Sequence, residues 1–338
     1  MFSRKVLELD APAVTEQIAR AIDSQVRSVL RRRGVVVGLS GGVDSSVVAA
    51  LCTRALGPHR VLGLFMPERD SSDDALRLGE LLGGHLGIVS IVENIGPVLE
   101  GAGCYRRQIE AIRQIVPEYG DGWRCKLTLP SILDSDRLSI FQLTVQSPDG
   151  RLTTSRMSPA AYLQLVAATN FKQRTRKMME HYHADRLAYA VAGTPNRLEY
   201  DQGFFVKNGD GAADFKPIAH LYKTQVYQLA RHLELPDEIC ARPPTTDTFS
   251  MSQTQEEFYF SLPHDTMDLC LWGHNHGVAA AEVGPAVGLT GGQVERVYRD
   301  IEAKRRATRY LHLAPLLVDH VSEISYFPDA DSDPAGTK

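Results

Sequence analysis

The 338-residue chain predicts an α/β fold: a doubly wound parallel sheet flanked by helices, interrupted by an inserted subdomain that contains a hairpin. Three observations predict it. Apolar β-branched runs alternate with helical periodicity from Val35 to Val92, a rhythm that implies parallel strands joined by right-handed crossovers. A glycine-rich turn, Gly38 to Ser46, joins the first such run to the first helical stretch after it. From Pro97 the rhythm breaks, and it resumes only near Tyr162.

Val14, Ile18, Ile22, Val26 and Leu30 recur every four residues and mark an amphipathic helix over residues 11–33, closed by Arg31, Arg32 and Arg33. Those arginines complement the helix dipole on a solvated end. Val35, Val36 and Val37 suit a strand buried on both faces. A helix over 47–56, a strand over 60–66, a helix over 73–86 and a strand over 88–92 follow. Between 97 and 165, Trp123 and several short apolar segments lead into RLSIFQLTVQSPDGRLTTSRM, whose β-rich halves flank a Pro-Asp-Gly turn. A helix over 162–183, a strand over 187–191 and a helix over 222–233 restore the alternation. Residues 290–310 predict a last long helix with Val294, Val297 and Ile301 facing inward. The expected organisation is a sheet domain over 1–96 and 166–250, an insertion over 97–165, a helical region over 251–322 and a disordered polar tail over 323–338.

Lys and Arg total 37 against 41 for Asp and Glu, a formal charge of −4. That balance argues against a polycation built to coat nucleic acid or an anionic membrane, yet allows a small anionic substrate held by a few cations. The five cysteines include no CxxC pair, so neither a disulfide framework nor a thiolate zinc site is expected. The charged N-terminus MFSRKVLELD lacks the apolar run of a signal peptide, and no stretch is long and apolar enough to span a membrane. A cytoplasmic enzyme is the expectation.

The chemistry concentrates in GLSGGVDSS, Gly38 to Ser46. Gly41 and Gly42 let the backbone approach an oxyanion, and the amides of a helix N-terminus with Ser40, Ser45 and Ser46 hydroxyls suit a phosphate cradle. A tight capped turn explains the glycines but not the aspartate followed by two serines. Asp44 repels phosphate unless a cation lies between them, which points to a Mg²⁺ ligand. The spacing matches neither GxxxxGK[ST] nor GxGxxG.

SGGVDSS resembles the pyrophosphate loop of the N-type ATP pyrophosphatases, which cleave ATP to AMP and pyrophosphate on an adenine nucleotide alpha hydrolase-like fold. AGTPNRLEYDQGFFVKNGDGAADFKPI from Ala192, LYKTQVYQLARHL from Leu221 and PPTTD from Pro243 are similar to NAD synthetase signatures. The resemblance covers residues 20–95 and 166–250. It implies that Thr194, Lys223 and Thr245 contact ATP and that Glu199 joins Asp44 on Mg²⁺. Physically, Glu199 follows a strand end on the carboxyl rim of a parallel sheet, where it too meets phosphate as a like charge. TNFKQRTRKM is similar to the family helix whose residue matching Arg174 holds deamido-NAD, and Lys207 and Asp214 match other substrate positions. The family's C-terminal His-Lys pair is here Ala303 and Lys304, which places Lys304 with the substrate residues.

The implied reaction adenylates a substrate carboxylate and then aminates it with ammonia. Lys223 and Mg²⁺ offset charge on the departing pyrophosphate. Three readings stand: an NAD synthetase acting on deamido-NAD, an amide synthetase acting on another carboxylate, and an RNA-modifying ATP pyrophosphatase. Charge and the missing cysteine pair weigh against the third. The resemblance further implies a homodimer using free ammonia or ammonia from a separate glutaminase. Two stretches depart from the family pattern, the insertion and TFSMSQTQEEFYFSLPHDTMDLCLWGHNHG after PPTTD. In the latter, Asp268, Cys270, His274 and His276 raise a metal reading against a plainer polar helix end.

Overall fold

The computed structural model describes residues 2–71, 73–129, 132–133, 141–245, 248–319 and 321. The expected tail over 323–338 and the start of the predicted hairpin, 137–140, lie outside them. Helix α1, Ala11–Ser24, begins at Asp10, whose side chain accepts from Ala13 N at 3.0 Å. A π-helical turn, Gln25–Val29, ends the helical run short of the predicted residue 33, and Arg31 takes a left-handed φ of 53°. Then come β1 (Val35–Gly38), α2 (Val43–Leu56), β2 (Val61–Phe65), α3 (Asp73–Leu86) and β3 (Val89–Val92). Helix α2 starts at Val43 rather than 47, so Asp44 stands in its first turn.

Short helices α4 (Gly96–Gly101) and α5 (Cys104–Arg113) precede an antiparallel sheet of β4 (Arg124–Thr128), β5 (Gln142–Gln146) and β6 (Leu152–Arg156). The predicted turn closes the β5–β6 hairpin, with Gln146 opposite Leu152 and Gly150 at φ 87°. Strand β4 adds a third member that the hairpin pattern did not announce. Leu127, Leu143 and Val145 of this sheet pack on Ile112, Ala161 and Leu165. Each such buried side chain contributes about 1.5–3 kcal/mol.

Helix α6, Pro159–Leu187, is longer than the predicted 162–183. Ser158 caps it, Pro159 fits its first turn, and no Gly or Pro interrupts it before Ala188 turns left-handed at φ 54°. Strand β7 is accordingly Ala190–Ala192, three residues instead of five. Next come α7 (Arg197–Gln202), α8 (Lys223–His232), α9 (Asp237–Ala241), α10 (His264–Asn275), α11 (Ala280–Val287) and α12 (Gly291–Thr308). Val294, Val297 and Ile301 are fully buried in the C-terminal helical cluster, as their spacing predicts.

The main sheet runs β3-β2-β1-β7, all parallel. Val35 and Val37 face a core built with α1, α2, α3 and α8, while Val36, Leu62 and Leu64 face α4, α5 and α6. Both faces are therefore covered, which explains the three consecutive valines. The chain walks outward from β1 to β3 and returns on the far side of β1 as β7. The loops leaving β1 and β7 consequently diverge, opening a crevice at the topological switch point. Among the described residues no helix is long and apolar enough to cross a membrane.

Candidate active site

The crevice holds a cavity of about 430 Å³. Its floor is the turn after β1. Gly41 adopts φ 73°, which a side chain rarely tolerates, and lets the chain double back into α2. Ser45 and Ser46 Oγ donate to Gly42 O at 3.1 and 2.9 Å, and Gly42 N donates to Ser40 Oγ at 3.3 Å. Ser40, Gly42, Asp44 and Ser45 line the cavity. Gly41 shapes the turn, and Ser46 is fully buried as a brace behind it.

Across the crevice Asn196 starts α7 with a capping box. Its Oδ1 accepts from Leu198 N and Glu199 N at 2.9 and 3.3 Å, and Glu199 Oε2 accepts from Asn196 N at 3.0 Å. The same side chain donates through Nδ2 to Asp44 Oδ1 at 3.1 Å, so one amide ties the two acidic turns together. Gln255 Nε2 donates to Glu199 Oε1 at 2.9 Å. Lys223 opens α8, where Asp268 caps the helix by accepting from Lys223 N and Thr224 N at 3.2 and 2.6 Å. The Lys223 ammonium forms an ion pair with Asp44 Oδ2.

Burial, reinforced by the negative charge of Asp44, pushes Glu199 up to about 8. Burial opposes the Lys223 ammonium, but Asp44 and Glu199 outweigh it and raise its pKa. Two carboxylates thus share one buried ammonium. Thr194 and Thr245 line the same cavity. Ser40, Gly42, Asp44, Ser45, Thr194, Glu199, Lys223 and Thr245 therefore come together from four separate stretches of chain.

The far side is α6, which presents Asn170, Gln173, Arg176, Lys177 and Glu180 to the cavity. Lys177 pairs with Glu180 at 2.6 Å, and Arg176 Nε donates to Met66 O at 3.4 Å. Arg174 is exposed outside the cavity lining and donates to Lys207 O at 3.3 Å. Lys207 Nζ donates to Tyr310 O and Leu313 O at 2.7 and 3.0 Å. Asp214 braces β7 by accepting from Val191 N at 2.7 Å. Lys304 lies behind the cavity-lining Tyr259, donating to its carbonyl at 2.8 Å and pairing with Asp300 at 2.7 Å. None of these four lines the cavity of a single chain.

Asn196 and Gln255 escaped the sequence reading. The first had a signal, since Asn196 and Glu199 hold the spacing of a capping box. Gln255 had none, because its partner is 56 positions away. Three residues of the metal reading are otherwise engaged, since His274 meets Glu302 at 2.8 Å, His276 stacks on Trp272 at 3.7 Å and Asp268 caps α8, and Cys270 is a buried free thiol. Among the described residues no cluster of three or more His, Cys, Asp or Glu could hold a metal ion.

The sequence model of the family described as NAD synthase matches residues 14–114 and 138–308. A protein of Mesorhizobium japonicum named NH(3)-dependent NAD(+) synthetase is 65% identical, over 94% of this chain and 100% of its own. One of Rhizobium meliloti with the same name is 59% identical, over 96% of this chain and 97% of its own. In fold, the chain is similar to an NMN synthetase from Francisella tularensis, with a TM-score of 0.63 at 19% identity, over 93% of this chain and 100% of that one. With its switch-point cavity and its match across both halves, the chain belongs to the NAD synthase family.

Proposed function

We propose that this chain is an ammonia-dependent NAD synthetase, an ATP-consuming ligase that turns the carboxylate of deamido-NAD into an amide and releases AMP and pyrophosphate. The carrying observation is the convergence of Asp44, Glu199 and Lys223 at the switch point of a chain 65% identical, over 94% of its length, to a relative of that name.

The turn of Ser40, Gly42 and Ser45, at the N-terminus of α2, receives the β- and γ-phosphates through amides and hydroxyls. Thr194 and Thr245 add hydroxyl donors from the facing loops. Lys223, held charged by its neighbours, neutralises the departing pyrophosphate. Asp44 and Glu199 bring two carboxyl groups together beside Lys223, hard oxygen donors that fit Mg²⁺, and a cation there would favour the charged form of Glu199 that burial disfavours. Bound there, Mg²⁺ supplies charge neutralisation to the phosphates. No nucleophilic side chain is required, because the acceptor carboxylate attacks the α-phosphorus itself and the chain contributes position and field.

A homodimer fits the face of α6 on which Leu163, Met178 and Tyr182 stand exposed, since Arg174 shares that face at helical spacing. Arg174 and Lys207 then meet an acceptor across the dimer, while Asp214 and Lys304 support the wall behind it. A reducing cytoplasm suits the free thiols Cys52, Cys104, Cys125, Cys240 and Cys270. The nitrogen arrives as free ammonia or from a separate glutaminase.

The test is release of AMP and pyrophosphate with ATP, Mg²⁺ and ammonium, comparing deamido-NAD with other carboxylates, nicotinate mononucleotide among them. Turnover of deamido-NAD to NAD is expected. Turnover of another acceptor in its place would refute the assignment. Light scattering after size exclusion checks the dimer, and a monomer at assay concentration counts against it.

A further inference from the structure

The family match breaks between 114 and 138, a gap that contains β4, and resumes from 138 through β5 and the stretch after Thr245. In three dimensions the unmatched strand and the matched segment 250–257 form one assembly. Strand β4 pairs with β5 along one edge. Its other edge takes up residues 250–257: Met251 N donates to Cys125 O and Leu129 N to Glu257 O, both at 3.0 Å. Cys125 N donates to Ser250 Oγ at 2.9 Å, and Gln253 Nε2 donates to Leu127 O. Arg124 donates to Ser250 O through Nε and Nη2 at 2.9 and 2.7 Å. An edge that would otherwise stand open is thus closed by the segment that carries Gln255 to Glu199.

The assembly also carries apolar side chains into the cavity. Leu127, Phe141, Tyr162, Phe249 and Phe258 line the same space as Asp44 and Lys223. Phe141 stacks on Tyr162 with centroids 4.8 Å apart and planes at 19°. Phe258 packs between Phe141 and Phe249 at 6.0 and 5.9 Å. Such ring pairs hold one another in place beyond simple area burial. Burial pushes the Tyr162 phenol up to about 12, as a low-dielectric wall should.

We propose that this composite wall, the β4–β5 pair zipped to residues 249–258, keeps water from the acyl adenylate so that ammonia captures it. The inference rests on the ammonia-dependent amide synthesis proposed above. When ammonia attacks the acyl carbon, a C–N bond forms, the C–O bond to AMP breaks and a proton leaves to solvent. When water attacks, a C–O bond forms, the same bond to AMP breaks and the carboxylate returns with its ATP wasted. Water outnumbers ammonia in any aqueous compartment, so the yield of amide per ATP depends on exclusion.

The readout is the ratio of AMP to NAD formed within one reaction. Full-length parent protein should give a ratio close to one. Phe141→Ala and Phe258→Ala should raise it threefold or more, and further as ammonium is lowered. A loss of folded protein lowers both products together and leaves the ratio unmoved. Phe141→Leu and Phe258→Leu, which keep an apolar filling, should raise it less, and they decide the matter by the same ratio if the alanine variants yield no product. A ratio that stays at one in the variants at limiting ammonium overturns the wall while leaving the synthetase reading intact. A parent that forms no NAD overturns the reading beneath it.

Discussion

The two ends of the cavity are built in opposite ways. At the phosphate end, charged and hydroxyl groups stand on the first turns of α2, α7 and α8, each a few residues beyond a strand or loop. At the acceptor end, the wall is assembled from Leu127, Phe141, Tyr162, Phe249 and Phe258, spread over more than a hundred positions of sequence. One end is a set of local motifs aimed at a common point by the sheet. The other exists only once β4, β5, α6 and the 250–257 segment have met. On the reading proposed here, the first would carry the chemistry and the second would limit what shares it.

Substitutions should separate the two. The largest effect belongs to Asp44→Asn, which keeps the hydrogen bond from Asn196 but removes the charge facing Lys223. Pyrophosphate release should fall by about 10³-fold or more with every acceptor. A variant within tenfold of the parent would show that the carboxylate has no place in the chemistry. Lys223→Met should cost about 10²–10³-fold in the same assay. It leaves Asp44 and Glu199 buried without their ammonium, so its melting temperature should respond to added Mg²⁺ more than the parent's does. An equal response in both would argue against a shared cation site.

Between the two ends lies a pin that belongs to neither. Lys172 is 1% exposed, with its ammonium 3.0 Å from Glu68 and 2.7 Å from Asp70, and it donates to Thr248 O at 2.9 Å. Lys172→Met strands two buried carboxylates, and about 3–5 kcal/mol of stability should be lost in denaturant titrations. A loss below about 1 kcal/mol would mean that the network is solvated in practice. Smallest is Asn196→Ala, expected to cost about 1 kcal/mol through the lost cap of α7. Its effect on turnover should exceed its effect on stability, because the same amide aligns Asp44 with Glu199. Unchanged turnover would reduce Asn196 to a cap.

This contrast also explains what could be read in the sequence. The valine run, the SGGVDSS turn and the alternation to Val92 announced the parallel sheet and its crevice because each signal is local. Element ends shifted where helix termini decided them: Ser158 and Pro159 start α6 earlier, and its run on to Leu187, closed by left-handed Ala188, shortens β7. Thr194, Glu199 and Lys223 were legible because strand ends and helix starts position them. The wall was not, since β4 reads as a short mixed segment, RCKLT, whose role depends on a segment about 125 residues later. Which cation of α6 faces inward was likewise undecidable from a run of closely spaced cations. Register on the core placed Arg176 and Lys177 in the cavity and Arg174 outside it.

The most direct measurement of the central claim is the stoichiometry of one reaction containing ATP, Mg²⁺, ammonium and deamido-NAD, with AMP, pyrophosphate and NAD quantified together. Equal amounts of all three are expected. Pyrophosphate and AMP without NAD, or ATP left intact, would contradict the claim.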